Sequence, residues 1–310
     1  MRGIKKLLFL LLIPLMGRTQ PVVKRQYATV AGKKMSYTSF GLLTRHPGAP
    51  VLVFEAGMGA SGSVEFRILY PGLEKLAAGI GYDRNGEGAS DEDTTLTTDA
   101  HLARRLHEFL QVLKVPPPYI LVGHSMGGPY IRMFTALYPD EVAGLVFIES
   151  PDFMLTDEQD QQIRVNSGSG KGPNDWVAPY EQMLADDTLQ SLRSRHRCQR
   201  LANLFRNGAY CEYKSLPPLP DIPVAVLASY NKVRDSTRFM PADYARFEWA
   251  GRIGRENFLQ LIKDNHDSFF LLLPGYPHGI HGKDPGLVDE VIGRIYRRAM
   301  QRPDKADDKR

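Results

Sequence analysis

The sequence predicts an α/β protein with a mostly parallel central sheet, helices on both faces and an inserted helical segment. The chain has 310 residues, 43% apolar and 24% charged, which is an ordinary composition for one large globular domain. Short apolar runs alternate with amphipathic segments, as in a parallel sheet covered by helices. The alternation breaks between residues 151 and 220 and then resumes. A domain of this size buries enough surface to need neither a disulfide nor a metal for its core.

The first half of the chain contains a hairpin and then strands and helices in turn. Two alternating runs, 26–29 and 34–37, flank Ala31-Gly32-Lys33 and predict a β-hairpin. Thr98 or Asp99 can cap a helix whose leucines fall on one face. The remaining predicted elements are a strand at 51–54, a helix at 64–78, a strand at 79–82, a helix at 100–113, a strand at 119–122, a helix to about 138 and a strand at 144–148.

The second half begins with the segment that interrupts the pattern. Residues 151–220 are polar, include helical segments at 180–195 and 198–207, and end in a proline-rich linker, so we interpret them as a helical cap. Residues 20–150 and 221–300 then form the core, and the charged tail 301–310 is expected to fray. The later core elements are a strand at 224–228, a helix at 255–263, a strand at 268–273 and a helix at 285–300.

Residues 1–19 have the layout of a secretory signal peptide. A basic start precedes the apolar run Leu7–Met16, which is too short to span a bilayer, and a cleavage point follows at Thr19. An uncleaved anchor or a buried helix is the alternative. We therefore expect an exported, periplasmic or secreted protein without a membrane span after processing. Residues 1–19 hold four of the 39 basic residues and no acid, so the 35 that remain balance 35 acidic residues. A neutral mature chain argues against nucleic-acid binding.

The two cysteines leave two possibilities open. Cys198 and Cys211 are compatible with a disulfide in an oxidising compartment, and equally with two separate buried thiols. No Cys/His spacing matches a zinc site, so we expect neither a metal nor a cofactor.

The strongest functional motif is Gly123-His124-Ser125-Met126-Gly127. It lies between a predicted strand and a predicted helix, the sharp turn on which a nucleophilic serine is presented. Glycine is required at both ends because a side chain there would collide across the turn. The Met126 amide then lies at a helix N-terminus and is a natural donor to a developing oxyanion. A second oxyanion donor is expected from the loop after the earlier strand, where position favours the amide of Met58.

The general base is expected to be His278. It lies just after the final predicted strand, at the same edge of the sheet as Ser125, and it follows Ser125 in chain order. His281, three residues later, is the competitor. His124 adjoins Ser125, but neighbouring side chains on a tight turn point apart, so a structural role is expected for it.

Two acids can orient this histidine. Glu149 ends the apolar strand after the nucleophile helix, where an unpaired carboxylate would be costly. Asp235 lies in the polar stretch after the strand at 224–228. Burial cost favours Glu149 slightly, and both acids stay candidates.

These motifs together resemble the α/β-hydrolase superfamily. The set comprises Gly57-Met58-Gly59, residues 82–90, the Ser125 motif and Pro277-His278-Gly279-Ile280-His281, in the family's order. The chain looks like the esterase-like branch in which Phe-Glu-x-Gly replaces the usual His-Gly, and in that branch an Asp often stands where this chain has Glu149. The resemblance implies the fold, a Ser–His–acid mechanism and no metal, but one fold hosts many chemistries.

Together these observations predict an exported serine hydrolase that cleaves a carboxylic ester of a small molecule through an acyl-enzyme. Ser125, deprotonated by His278, would attack the carbonyl while the Met58 and Met126 amides hold the oxyanion. A serine at this turn argues against dehalogenase or epoxide-hydrolase chemistry, because such enzymes in this fold carry Asp there. A peptidase, a lactonase or a carbon–carbon bond hydrolase on the same triad is an alternative. A binding protein of the same fold without turnover is another.

Overall fold

The eight strands of the described chain form one sheet in the order β1-β2-β4-β3-β5-β6-β7-β8. The computed structural model describes residues 24–176, 181–182, 184–185, 197, 199–203, 210–230 and 241–301. The strands are β1 (Gln26–Val30), β2 (Lys33–Phe40), β3 (Val51–Glu55), β4 (Ala78–Tyr82), β5 (Tyr119–His124), β6 (Val142–Ile148), β7 (Val224–Tyr230) and β8 (Phe269–Pro274). The hairpin β1–β2 is antiparallel, β2 runs antiparallel to β4, and all later pairs are parallel. The predicted fold class is confirmed.

The central strands are buried on both faces, which explains their continuous apolar runs. Every residue of β3, β4 and β5 is buried. Successive side chains of β3 lie on opposite faces of the sheet. Val53 packs in the hydrophobic cluster on one face, and Leu52 and Phe54 pack in the cluster on the other. Helices cover both clusters, as expected for a parallel sheet.

The described helices range from four to 22 residues in length. They are α1 (Gly62–Glu65), α2 (Tyr70–Leu73), α3 (Asp99–Val112), α4 (Gly127–Leu137), α5 (Asp157–Ser167), α6 (Pro241–Ile262), α7 (Ile280–Lys283) and α8 (Pro285–Gln301). Thr98 caps α3 as predicted, since its side chain accepts a hydrogen bond from the His101 N–H. Among the described helices, none combines the length and the apolar character needed to cross a bilayer.

Two helix predictions are wrong in extent, and one helix has no counterpart among the predictions. The single helix expected at 64–78 is instead α1, a 3-10 turn and α2, because Pro71 has no N–H to continue a helical ladder. The helix α6 begins at Pro241, well before the expected start at residue 255. The helix α5 was not predicted, although a capping box between Thr156 and Gln159 marks its start.

The predicted cap is described in part. It contains α5, while most of the expected helical segments at 180–195 and 198–207 lie outside the described residues. The boundaries at 151 and 220 therefore stay a prediction, as do the signal peptide at 1–19 and the tail, described only at Gln301. Cys211 is a free, half-buried thiol, and Cys198 lies outside the described residues.

Buried ion pairs connect the inserted segment to the core. Arg200 donates to Asp99 Oδ1 at 3.0 Å and to the Tyr130 hydroxyl at 2.8 Å. Tyr213 donates to the second oxygen of Asp99 at 2.9 Å. Arg197 forms a bidentate pair with Glu87, on the loop after β4. Asp99, expected only as a possible helix cap, is thus a buried counter-ion for the insertion.

Candidate active site

Ser125 lies on a strained turn between β5 and α4. Its φ of 51° is in the left-handed region, which is uncommon for a residue with a Cβ. The Ser125 N–H donates to the Ile148 carbonyl at 2.9 Å, and its carbonyl accepts from the Gly128 N–H at 2.9 Å. These bonds hold the turn in its strained conformation and fix the direction of the serine side chain.

The two glycines of the motif are required by close backbone contacts. A Cβ on Gly123 would lie 2.6 Å from the Gly127 carbonyl oxygen, and one on Gly127 would lie 2.1 Å from the Glu55 carbonyl oxygen. Both contacts are to main chain, which cannot move aside. The collision expected from the motif is therefore present in the structure.

The structure brings His278 and Glu149 together. His278 Nδ1 lies 3.3 Å from Glu149 Oε2, and the other carboxylate oxygen accepts a short hydrogen bond from the Ser229 N–H. The Glu149 side chain is 6% exposed, whereas that of His278 is 55% exposed. Because Nδ1 faces the carboxylate, Nε2 is the nitrogen available on the cavity side of the ring.

Of the two acids left open by the sequence, Glu149 is the one placed beside the histidine. It directly follows β6 with a φ of 48°, and its N–H donates to the Leu227 carbonyl at 2.8 Å. This turn directs the carboxylate toward the end of β7, where the Ser229 amide, which was not predicted, supports it. Asp235 belongs to residues 231–240, which lie outside the described residues.

The two predicted oxyanion donors lie on opposite sides of Ser125 in the sequence and near one cavity. Met126 immediately precedes α4, so its amide is at a helix N-terminus, and its side chain is buried. Met58 is 47% exposed. The methionine side chains and Ser125 line the same cavity.

The loop that carries Met58 is held by a buried ion pair that the sequence did not reveal. Arg84, just after β4, pairs with Glu55 at the end of β3, and it also donates to the carbonyls of Ala56 and Gly57. Burial opposes the charge of Arg84, but the adjacent Glu55 carboxylate outweighs it and raises the pKa of the guanidinium. The Glu of the Phe-Glu-x-Gly motif therefore anchors the arginine that fixes the loop of Met58.

A second group of ionisable side chains includes His124, the residue before Ser125. Glu65, His124 and His281 bring one carboxylate and two imidazoles within 4.8 Å of one another, the residue types of a metal site. However, His124 Nδ1 and the Glu65 carboxylate are joined by a short hydrogen bond, which leaves no space for an ion between them.

His281 is poorly placed to act as the base. Its side chain is 8% exposed and packs on Phe66, away from the residues that line the cavity. Burial, together with the nearby His124, lowers the pKa of His281 to about 4. Of the two histidines, only His278 lines the same cavity as Ser125.

The cavity over Ser125 has a volume of about 930 Å³. It is bounded by the sheet edge, by the start of the insertion and by α6. Its walls are mainly apolar, and the larger contributors are Leu155, Leu201, Tyr210, Phe247, Trp249 and Phe258. Such a cavity suits a small organic molecule with a substantial apolar part.

The sheet order and the turn at Ser125 are those of the α/β-hydrolase class of folds. A family profile described as alpha/beta hydrolase fold matches residues 50–222, more than half of the chain. The chain therefore belongs to the alpha/beta hydrolase fold family.

Individual relatives are more distant. A serine hydrolase-like protein of Danio rerio is 30% identical over 141 residues, which cover 44% of this chain and 40% of the relative. The matches to curated relatives span only 13% to 40% of those proteins' lengths.

Solved structures resemble nearly the whole described fold. The epoxide hydrolase CorEH has a TM-score of 0.58 at 16% identity and covers 89% of this chain and 99% of its own. A thermophilic esterase from Thermogutta terrifontis has a TM-score of 0.54 at 18% identity, with the same coverage of 89% and 99%. At these identities the likeness shows the fold alone.

Proposed function

We propose that the protein is an exported serine hydrolase that cleaves carboxylic esters of small molecules through an acyl-enzyme. The observation that carries the proposal is the Glu149–His278 pair at the cavity over Ser125, which lies on a left-handed turn. Nucleophile, base and acid come from the loops after β5, β8 and β6, at the carboxyl edge of the sheet where ligands bind in open α/β folds.

The chemistry follows from these positions. Ser125 Oγ attacks the ester carbonyl and transfers its proton to His278 Nε2, while Glu149 stabilises the imidazolium through Nδ1. The amides of Met58 and Met126 donate to the oxyanion. The alcohol leaves with the proton of His278. Water then attacks the acyl-enzyme, gives its proton to His278 and releases the acid as Ser125 is protonated again.

The residue at the turn separates this proposal from the chemistry of one structural neighbour. CorEH is an epoxide hydrolase. In this fold that reaction uses Asp as the nucleophile, whereas this chain has Ser125. The name of the Danio rerio relative, serine hydrolase-like protein, agrees with a serine nucleophile. The mainly apolar cavity supports an ester with an apolar acyl or alcohol part over a charged peptide.

Hydrolysis of a p-nitrophenyl ester series from acetate to palmitate tests the proposal, with covalent labelling by a fluorophosphonate as a second readout. Ser125→Ala should lose both hydrolysis and labelling. Glu149→Gln keeps the size of the side chain but removes the charge that stabilises the imidazolium, so kcat should fall on the order of 10³–10⁴-fold. Asp235→Asn is the rival variant, and a larger loss there than in Glu149→Gln would make Asp235 the triad acid.

Absence of both hydrolysis and labelling in the folded wild-type protein would refute the enzyme and leave the binding protein. Labelling without hydrolysis of any ester would point instead to a peptidase, a lactonase or a carbon–carbon bond hydrolase.

Export is tested separately by expressing the full chain in a bacterium and sequencing the N-terminus of the protein recovered from the periplasm. A start at Gln20 is the expected result, and a protein retained in the cytosol with Met1 would contradict it.

A further inference from the structure

We propose that Glu65 is a positioning residue that couples the oxyanion loop (residues 56–60) to the base loop (residues 275–279), with His124 as the intermediate. The inference rests on the proposed function, because it assigns the two loops their roles in acyl transfer. Glu65 itself is on α1 and is absent from the residues that line the cavity. Its action on the reaction is therefore indirect.

One oxygen of Glu65 holds the oxyanion loop. Glu65 Oε2 accepts a hydrogen bond from the Gly57 N–H at 3.2 Å, directly before Met58. Arg84 fixes the Gly57 carbonyl from the other side. The peptide groups on both sides of Gly57 are thus held by side chains of opposite charge, and their orientation sets where the Met58 amide points.

The other oxygen of Glu65 holds the base loop through His124. Glu65 Oε1 forms a short hydrogen bond with His124 Nδ1, and His124 Nε2 donates to the His278 carbonyl at 3.0 Å. The rings of His124 and His278 are 4.8 Å apart between centroids. A continuous chain of three hydrogen bonds therefore runs from the Gly57 amide to the main chain of the proposed base.

Both ring nitrogens of His124 have a hydrogen-bond partner. The Glu65 carboxylate faces Nδ1 and the main-chain carbonyl of His278 faces Nε2. The ring is therefore held at both ends, between the two groups that it connects. The pair is nearly buried, with 9% of the His124 side chain and 12% of the Glu65 side chain exposed.

The groups around this pair are consistent with that arrangement. His281, on α7, lies 3.6 Å from Glu65 Oε1 and 4.6 Å from His124 between ring centroids, and His278 faces His124 from the base loop. Burial alone would raise the pKa of Glu65, but the hydrogen bond and charge of His124 outweigh it, so the pKa is lowered. Since the pKa of His281 is lowered to about 4, that ring is neutral near pH 7 and leaves the carboxylate to His124.

The functional consequence is a fixed distance between oxyanion donor and base. The two loops follow β3 and β8, which are separated in the sheet by β5, β6 and β7, so the sheet alone does not connect them directly. A displacement of about 1 Å between catalytic groups costs on the order of 100-fold in rate. The Glu65–His124 link supplies a direct connection beneath Ser125.

Amide hydrogen exchange of the full chain, followed by mass spectrometry, tests the coupling without any substrate. Glu65→Gln replaces one acceptor by an amide donor and should raise exchange in both loops. In His124→Asn the side chain can still reach Glu65, as Nδ1 does, but cannot reach the His278 carbonyl. It should loosen the base loop and leave Gly57 protected. Asp93→Asn is the matched control, because Asp93 is also a buried carboxylate in an ion pair, with Arg105, and contacts neither loop.

Ester hydrolysis supplies the second readout. Glu65→Gln should lower kcat about 10- to 100-fold with KM within about threefold, because positioning and not substrate binding is lost. Asp93→Asn should lose stability but keep kcat within about twofold. The coupling is overturned if Glu65→Gln loosens one loop only, or if Asp93→Asn loses as much kcat at an equal loss of stability. A wild-type protein inactive on every ester would refute the proposed function alone, and the exchange experiment would still decide the coupling.

Discussion

The strain at Ser125 can be measured by comparing two inactive variants. Ser125→Ala and Ser125→Gly both remove the hydroxyl and differ only in the Cβ. At a φ of 51° a Cβ costs about 1–2 kcal/mol. Glycine removes that cost but gives the unfolded chain more freedom, which offsets about 0.5–1 kcal/mol. Ser125→Gly should therefore be more stable than Ser125→Ala by about 0.75 kcal/mol, the difference between the midpoints of these two ranges.

Guanidinium unfolding of both variants at one pH measures the difference in the free energy of unfolding. Ala136→Gly, in the ordinary helical conformation of α4, is the control and should lose about 1 kcal/mol. The same type of substitution thus has opposite signs at the two positions. The reasoning is refuted if Ser125→Gly is less stable than Ser125→Ala by as much as Ala136→Gly is less stable than the wild type. The backbone at Ser125 would then hold no strain.

Two further predictions concern stability. Burial between α8 and α2 raises the pKa of Asp289 to about 7, so the folded chain binds a proton that the unfolded chain releases, and stability falls as pH rises from about 4 to 7. Asp289→Asn should raise Tm at pH 8 and change it little at pH 4, and an equal gain at both values would contradict this. Arg200→Met leaves Asp99 buried without the arginine that pairs with it. Thermal unfolding should show that the free energy of unfolding falls by about 3 kcal/mol. The exposed pair of Lys214 and Asp157 is the control. If Lys214→Met lowers the free energy of unfolding as much as Arg200→Met does, the effect assigned to burial is refuted.

Local patterns were sufficient for the parts of the site that depend on neighbouring residues. The strand–turn–helix at Ser125 and the position of His278 after the last strand follow from short segments read alone. Thr98 is a further case, because a helix cap is made with the next turn of the same helix. In each case the pattern and the structural feature occupy the same few residues.

The identity of the acid beside His278 needed more than a local pattern. The sequence left Glu149 and Asp235 open because the reach of either carboxylate depends on how the chain turns after its strand. At Glu149 the chain turns through a left-handed backbone conformation, which cannot be predicted from a residue other than glycine. The partner that supports it, the Ser229 amide, is 80 residues away.

The supporting residues were missed for a related reason. Glu65 and Arg84 act on main-chain groups that are 8 to 28 residues away, and Arg200 pairs with an aspartate 101 residues earlier. In the sequence each of them is one charged residue among many. Only the folded arrangement shows that they are buried and which groups they contact.

The order of the site residues along the chain has a consequence for biosynthesis. The turn at Ser125 and the acid Glu149 belong to one continuous part of the chain, but His278 comes 129 residues after Glu149. At roughly 5–20 residues per second, translation of that interval takes on the order of 6–26 seconds. During this time a nascent chain can already form β3 to β6 and the serine turn, yet it lacks the proposed general base. Under the proposed mechanism the partly made protein is therefore inactive, and ester hydrolysis requires the edge strand β8 to have joined the sheet.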